Sequence, residues 1–110
     1  NSIGDVIFEQ LKKQWADTHP FNTSSKSKQE IIEGLILDLN EGNLILPSEE
    51  LFPAILFELG IYEYSYSPKN RTVTYNAPSG MHDDCVMSLA ISNYHRKKQT
   101  NYGSYSYFVR

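Results

Sequence analysis

Apolar residues recur along this chain with two different periods, and the change of period marks out the elements. Ile3, Val6, Ile7, Leu11 and Trp15 fall at helical spacing with polar residues between them. That spacing predicts a helix over 2–16, with Ser2 as its N-cap. Residues 18–26 are polar and contain Pro20, which predicts a loop. Ile31, Ile32, Leu35, Ile36 and Leu39 form a second helical stripe, stopped at Asn40-Glu41-Gly42-Asn43 because glycine tolerates the left-handed conformation in which helices often end. Leu44-Ile45-Leu46 reads as a short buried strand ended by Pro47. Ser48 then begins a third helix that runs to Gly60, with Pro53 tolerable near its first turn.

The period then changes to two. Tyr62, Tyr64 and Tyr66 alternate with Glu63, Ser65 and Ser67, and residues 71–75 alternate again after Ser67-Pro68-Lys69-Asn70. Two such runs about a Pro/Asn turn predict a hairpin, with the tyrosines used in sheet packing. Residues 77–80 form a loop, and a last helix runs from His82 or Asp83 to Lys98. Residues 99–110, rich in Tyr, Ser and Asn, make a tail: an extra strand or a simple extension. The order implies an α/β fold over 1–98, helices on a short mixed sheet with a hairpin. One short strand and a hairpin are a thin sheet for four helices, and the abrupt opening at Asn1 suggests a piece of something longer whose first strands are missing.

Composition narrows the class. The chain has 110 residues, 40% hydrophobic and 21% charged, enough for one modest core. No apolar stretch approaches the ~20 residues a membrane span requires, so no membrane partner is expected. The lone Cys85 excludes an internal disulfide and fits a reducing cytoplasm. A net charge of −3 argues against a general nucleic-acid coat, whose phosphate contacts demand a basic bias. It weighs less against a nuclease, whose carboxylates are neutralised by metal. One cysteine and three scattered histidines lack the ligand spacing of a zinc site, which argues against one, and His19 and His95 read as surface residues.

The candidate chemistry lies in Asp83 and Asp84, which follow a Gly80-containing loop and open an apolar helix. Capping alone would explain one acid there. Two adjacent acids repel, and such a pair is more useful with a divalent cation between its oxygens. Two such ions about 4 Å apart activate water and stabilise the leaving oxygen in phosphodiester hydrolysis. A two-metal site needs further acids from elsewhere.

The run 76–90, centred on His82-Asp83-Asp84, resembles the last catalytic motif of the large terminase subunit of tailed phages. The C-terminal domain of that family is an RNase H-like nuclease, related to the RuvC and integrase group. Asn1-Ser2-Ile3-Gly4 resembles the segment just after the family's second catalytic acid, and 28–46 and 51–75 follow its order of elements. The resemblance implies Asp84 and Asp83 as metal-binding and catalytic residues, Asp84 slightly favoured, with His82 orienting a carboxylate or touching the scissile phosphate. It implies Mg²⁺ or Mn²⁺, a two-metal site in the complete domain. Its partners would be double-stranded DNA, with the portal protein and small terminase subunit met through the parent protein, in the cytoplasm of a bacterial host. The other two acids would lie outside this chain, leaving the fragment inactive. Lys69 and Arg71 of the hairpin turn are candidate DNA contacts, set against a plainly solvated turn. Two alternatives stand beside this reading: a resolvase- or transposase-like nuclease fragment, and a non-catalytic module that docks on portal or DNA.

Overall fold

The computed structural model describes residues 2–99, so most of the tail 99–110 lies outside the described residues. Four helices and one hairpin follow in the order α1 (Ile3–Gln14), α2 (Ser25–Asn40), α3 (Pro53–Ile61), β1 (Glu63–Ser67), β2 (Thr72–Asn76) and α4 (Asp84–Gln99). The fold is α/β in the coarse sense, with a two-stranded antiparallel sheet among the described residues in place of the expected mixed one. No described helix is long and apolar enough to cross a membrane.

The first two helices start on reciprocal caps. The Ser2 hydroxyl accepts from the Asp5 N–H while the Asp5 carboxylate accepts from the Ser2 N–H, and Ser24 and Ser27 repeat the arrangement at α2. Each cap satisfies two helix-end donors that would otherwise lack partners. Yet α1 buries none of its residues. Ile3 is 80% exposed and Trp15 60%, so the stripe that predicted the helix is uncovered.

The core is built instead where α2 crosses α4. Ile31, Ile32 and Leu35 meet Val86 and Ala90, with Leu39, Leu44, Leu59, Tyr62 and Tyr75 packed around them. Each fully buried aliphatic side chain contributes roughly 1.5–3 kcal/mol. Asp38 and Asn93 continue the same two stripes toward the far end of the helices. Asp38 is only 3% exposed and Asn93 4%. The Asp38 carboxylate accepts from Asn93 at 2.7 Å and from Asn43 at 3.1 Å, and pairs with Lys97 at 3.1 Å. Arg96 donates in turn to the Asn93 side-chain oxygen at 2.8 Å. The buried charge is therefore fully partnered.

Three local expectations are overturned. Residues 44–46 form no strand: none of the described residues pairs with them, and Ile45 is 96% exposed while Leu44 and Leu46 are half-buried. The third helix begins at Pro53 and not at Ser48. The Ser48 carbonyl instead accepts from the N–H groups of Leu51 and Phe52, closing a turn, and Pro53 takes the first helical position, where its missing N–H costs nothing. His95 is no surface residue. It is half-buried, edge-on to Phe21 and Tyr94, with Nδ1 3.0 Å from the Ile91 carbonyl. His19 is exposed, as expected, beside Asp17.

The hairpin forms as the alternation predicts, with Glu63 opposite Asn76 and Ser67 opposite Thr72. Its tyrosines divide. Tyr75 packs on the core, and Tyr64, though 72% exposed, sets its ring 6.5 Å from that of Tyr75 across the sheet, while Tyr66 of β1 is 56% exposed. Arg71, leaving the turn, has φ 56°, a left-handed conformation that a side chain makes costly.

Candidate functional site

The loop before α4 is shaped by Gly80, at φ 82°, which lies inside the turn closed by the Met81 N–H on the Pro78 carbonyl. Only glycine takes that backbone without strain. The chain then delivers His82, Asp83 and Asp84 in succession at the mouth of the helix. His82 and Asp84 are exposed and Asp83 is half-buried.

Glu58 caps α4. Its Oε1, carried by α3, accepts from the backbone N–H of Cys85 at 2.8 Å and of Val86 at 3.1 Å. A carboxylate at that end also meets the positive pole of the helix dipole. The duty that would give the aspartate pair a purely structural purpose is therefore discharged by a residue 27 positions away. Burial, with Glu58 next in weight, pushes the Cys85 thiol above its ordinary value, which keeps it protonated at neutral pH.

The two aspartates are used differently. Asp83 points back into the protein, where its Oδ2 accepts from the Tyr62 hydroxyl at 3.0 Å and from the Lys28 ammonium at 3.4 Å. Its backbone carbonyl accepts from the Met87 N–H and starts the helix. Burial, and then the bond to Asp83, push the Tyr62 phenol well above its ordinary value, so it stays a donor. Lys28 also donates to Asn76 at 3.1 Å. The Asp83 contact thus ties together α2, the end of α3, the base of the hairpin and the loop before α4. The Asp84 and His82 side chains make no hydrogen bond or ion pair among the described residues.

A divalent cation of the kind the resemblance implies takes several hard oxygen ligands. Among the described residues no group of three or more His, Cys, Asp or Glu side chains converges for one. Asp84 offers an exposed carboxylate, Asp83 is engaged by Lys28, and Glu58 is engaged by the helix backbone. The described residues by themselves do not fit out a divalent site.

Lys69 and Arg71 are both exposed, at the turn end of the hairpin. Asn76, at the base, is four residues along β2 from Thr72, roughly 13 Å. The structure therefore brings Asp83 and Asp84 together with Lys28, Tyr62 and Glu58, and leaves Lys69 and Arg71 at the other end of the hairpin. Lys28, Tyr62 and Glu58 were not singled out from the sequence as partners of the aspartates. The one available signal was that Lys28 precedes Ile32 and Leu35 by helical steps on the inward face of α2. Comparison of the chain with family models, with curated proteins and with solved structures finds no match.

Proposed function

We propose that this chain is the distal part of a terminase-type nuclease domain, contributing the last carboxylates of a metal-dependent endonuclease that cuts concatemeric viral DNA in a bacterial host. One observation carries the reading. Glu58 does the capping and Tyr62 and Lys28 hold Asp83, so Asp84 stands exposed beside it at the start of α4 with no hydrogen-bond or ion-pair partner among the described residues, where the helix start asks nothing of it. When bound, Mg²⁺ or Mn²⁺ would supply water activation and charge stabilisation at the phosphodiester. The reading requires further carboxylates from beyond this sequence, and this chain's share is to position Asp83 and Asp84 on a fixed helix start. His82 is exposed next to them and within the same loop. Lys69 and Arg71 are left as contacts for DNA running past the hairpin tip.

The experiment is plasmid cleavage in Mn²⁺ by the full-length protein that carries this chain. Asp84→Asn is expected to slow cutting at least about a hundredfold, and an unchanged rate overturns the reading. The isolated chain is expected to leave plasmid intact. The coding sequence should place an Asp or Glu directly before Asn1 and a phosphate-binding loop far upstream. A second reading, a non-catalytic module that docks on portal or DNA, draws support from the uncovered apolar stripe of α1.

A further inference from the structure

The hairpin is only half supported. α2 packs against β2, β1 lies one strand further out, and no described strand pairs with its outer edge. Such an edge presents unpaired N–H and C=O groups, which proteins commonly blunt with lysine, proline or a bulge. β1 has none of these over Glu63–Ser67, and its register with β2 is unbroken. Residues paired across strands share a face, so Tyr64 and Tyr66 stand on the same side as Tyr75 and Val73. Beneath Tyr64 a cavity of about 160 Å³ opens between Ile36 and Leu39 of α2, Leu59 of α3, and Tyr75. Ile36 and Tyr64 are exposed at its rim, and Glu63 is its one charged lining residue. An apolar cavity of about that size takes a benzene-sized group.

The sequence that follows Gln99 matches this vacancy in pattern, length and charge. Tyr105-Ser106-Tyr107 repeats the Tyr64-Ser65-Tyr66 run of β1, Val109 continues the alternation, and Gly103 separates the run from α4. The starting point is close. Lys97, two residues before the end of α4, pairs with Asp38 at 3.1 Å, and the next residue of α2, Leu39, lines the cavity. Residues 100–103 can span about 13–14 Å when extended. Arg110 is the one charged side chain after Gln99, opposite in sign to Glu63. We propose that residues 104–109 add to the outer edge of β1 as a third strand, with a tyrosine ring closing the cavity beneath Tyr64. A two-stranded ribbon is marginal in water, whereas three strands with an apolar face are not. This docking stands whether or not the chain belongs to a nuclease.

The test is nuclear magnetic resonance of the full 110-residue chain. Overhauser contacts are expected between the backbone protons of 104–109 and those of Glu63–Ser67, and between the ring of Tyr105 or Tyr107 and the methyl groups of Ile36 or Leu39. Their absence overturns the proposal. Contacts that arise only between labelled and unlabelled chains in a mixture give the edge to a second copy, and overturn it too. Amide exchange supplies a second readout. Tyr105→Pro combined with Ser106→Pro removes a ladder donor whichever of the two N–H groups faces β1. The β1 amides that do not donate to β2 should then exchange at least about tenfold faster, while those of α2 hold. Unchanged exchange in β1 overturns the proposal. Both substitutions lie outside the α2–α4 core, so the variant is expected to fold. None of these readouts uses DNA cleavage, so a failure of the nuclease reading is seen separately.

Discussion

Asp38 shows what it takes to keep one charge in a core this small. Its carboxyl is held at about 2 against an ordinary 3.8, chiefly by the Asn93 hydrogen bond and then by Asn43, with Lys97 assisting and burial opposing. A folded-state value below the unfolded one means that the unfolded chain takes up the proton first as pH falls. The contribution of Asp38 is therefore complete above about pH 4 and is lost progressively toward pH 2. An asparagine there offers one acceptor oxygen where the carboxylate offers two, so either Asn93 or Asn43 faces an amide N–H instead of an acceptor. We expect Asp38→Asn to lower stability by about 1–3 kcal/mol at neutral pH. Urea denaturation across pH should show the gap between variant and parent narrowing between pH 4 and pH 2. This pair was legible in principle, for Asp38 follows Ile31 and Leu35, and Asn93 follows Val86 and Ala90, at helical steps along two buried stripes. A polar residue on each of two facing apolar stripes is the mark of a cross-helix bond, but which stripes face each other is a tertiary fact.

At the level of elements, α4 depends on α3 for its start. Glu58→Ala should cost about 1–2 kcal/mol, because two half-buried N–H groups lose a charged acceptor. A thermal melt measures the loss. Amide exchange localises it: Cys85 and Val86 should exchange faster while the amides of α2 hold. The hairpin offers the opposite experiment. Arg71 sits at φ 56°, so Arg71→Gly should relieve backbone strain and raise stability by about 0.5–1 kcal/mol net of the entropy glycine adds to the unfolded chain, read as a higher melting temperature. The four helices and the hairpin were readable because each rests on local periodicity and local turn chemistry. The strand over 44–46 was misread because an apolar triplet becomes a strand only if another strand lies beside it, and none of the described residues supplies one. The start of the third helix was misread because Ser48 offers the same signal whether it opens a helix or closes a turn. At the site, the aspartate pair was visible as adjacent letters. Its partners were not, because Lys28 reaches Asp83 across 55 positions and Tyr62 reaches it across 21.

For the molecule as a whole, stability is concentrated at one crossing, and the remaining apolar surface is spread over its outside. Ile32 is 2% exposed at the α2–α4 contact, and Leu11 is 40% exposed on α1. Ile32→Ala should cost about 2–4 kcal/mol through lost burial and the cavity left behind. Leu11→Ala should change stability by less than about 0.5 kcal/mol. Denaturation curves of the two variants compare them directly. Equal costs would show that the stripe of α1 is covered in solution.

The same crossing sets a schedule for synthesis. The inward face of α2 is complete when Asn40 emerges, yet its partner begins only at Asp84. At a ribosomal pace of about 5–20 residues per second, that face waits roughly 2–9 s before its counterpart starts to appear. A chain interrupted anywhere in that interval carries the apolar stripe Ile31, Ile32 and Leu35 without the Val86 and Ala90 that close on it, so truncated products of this protein are expected to be clients of chaperones and proteases.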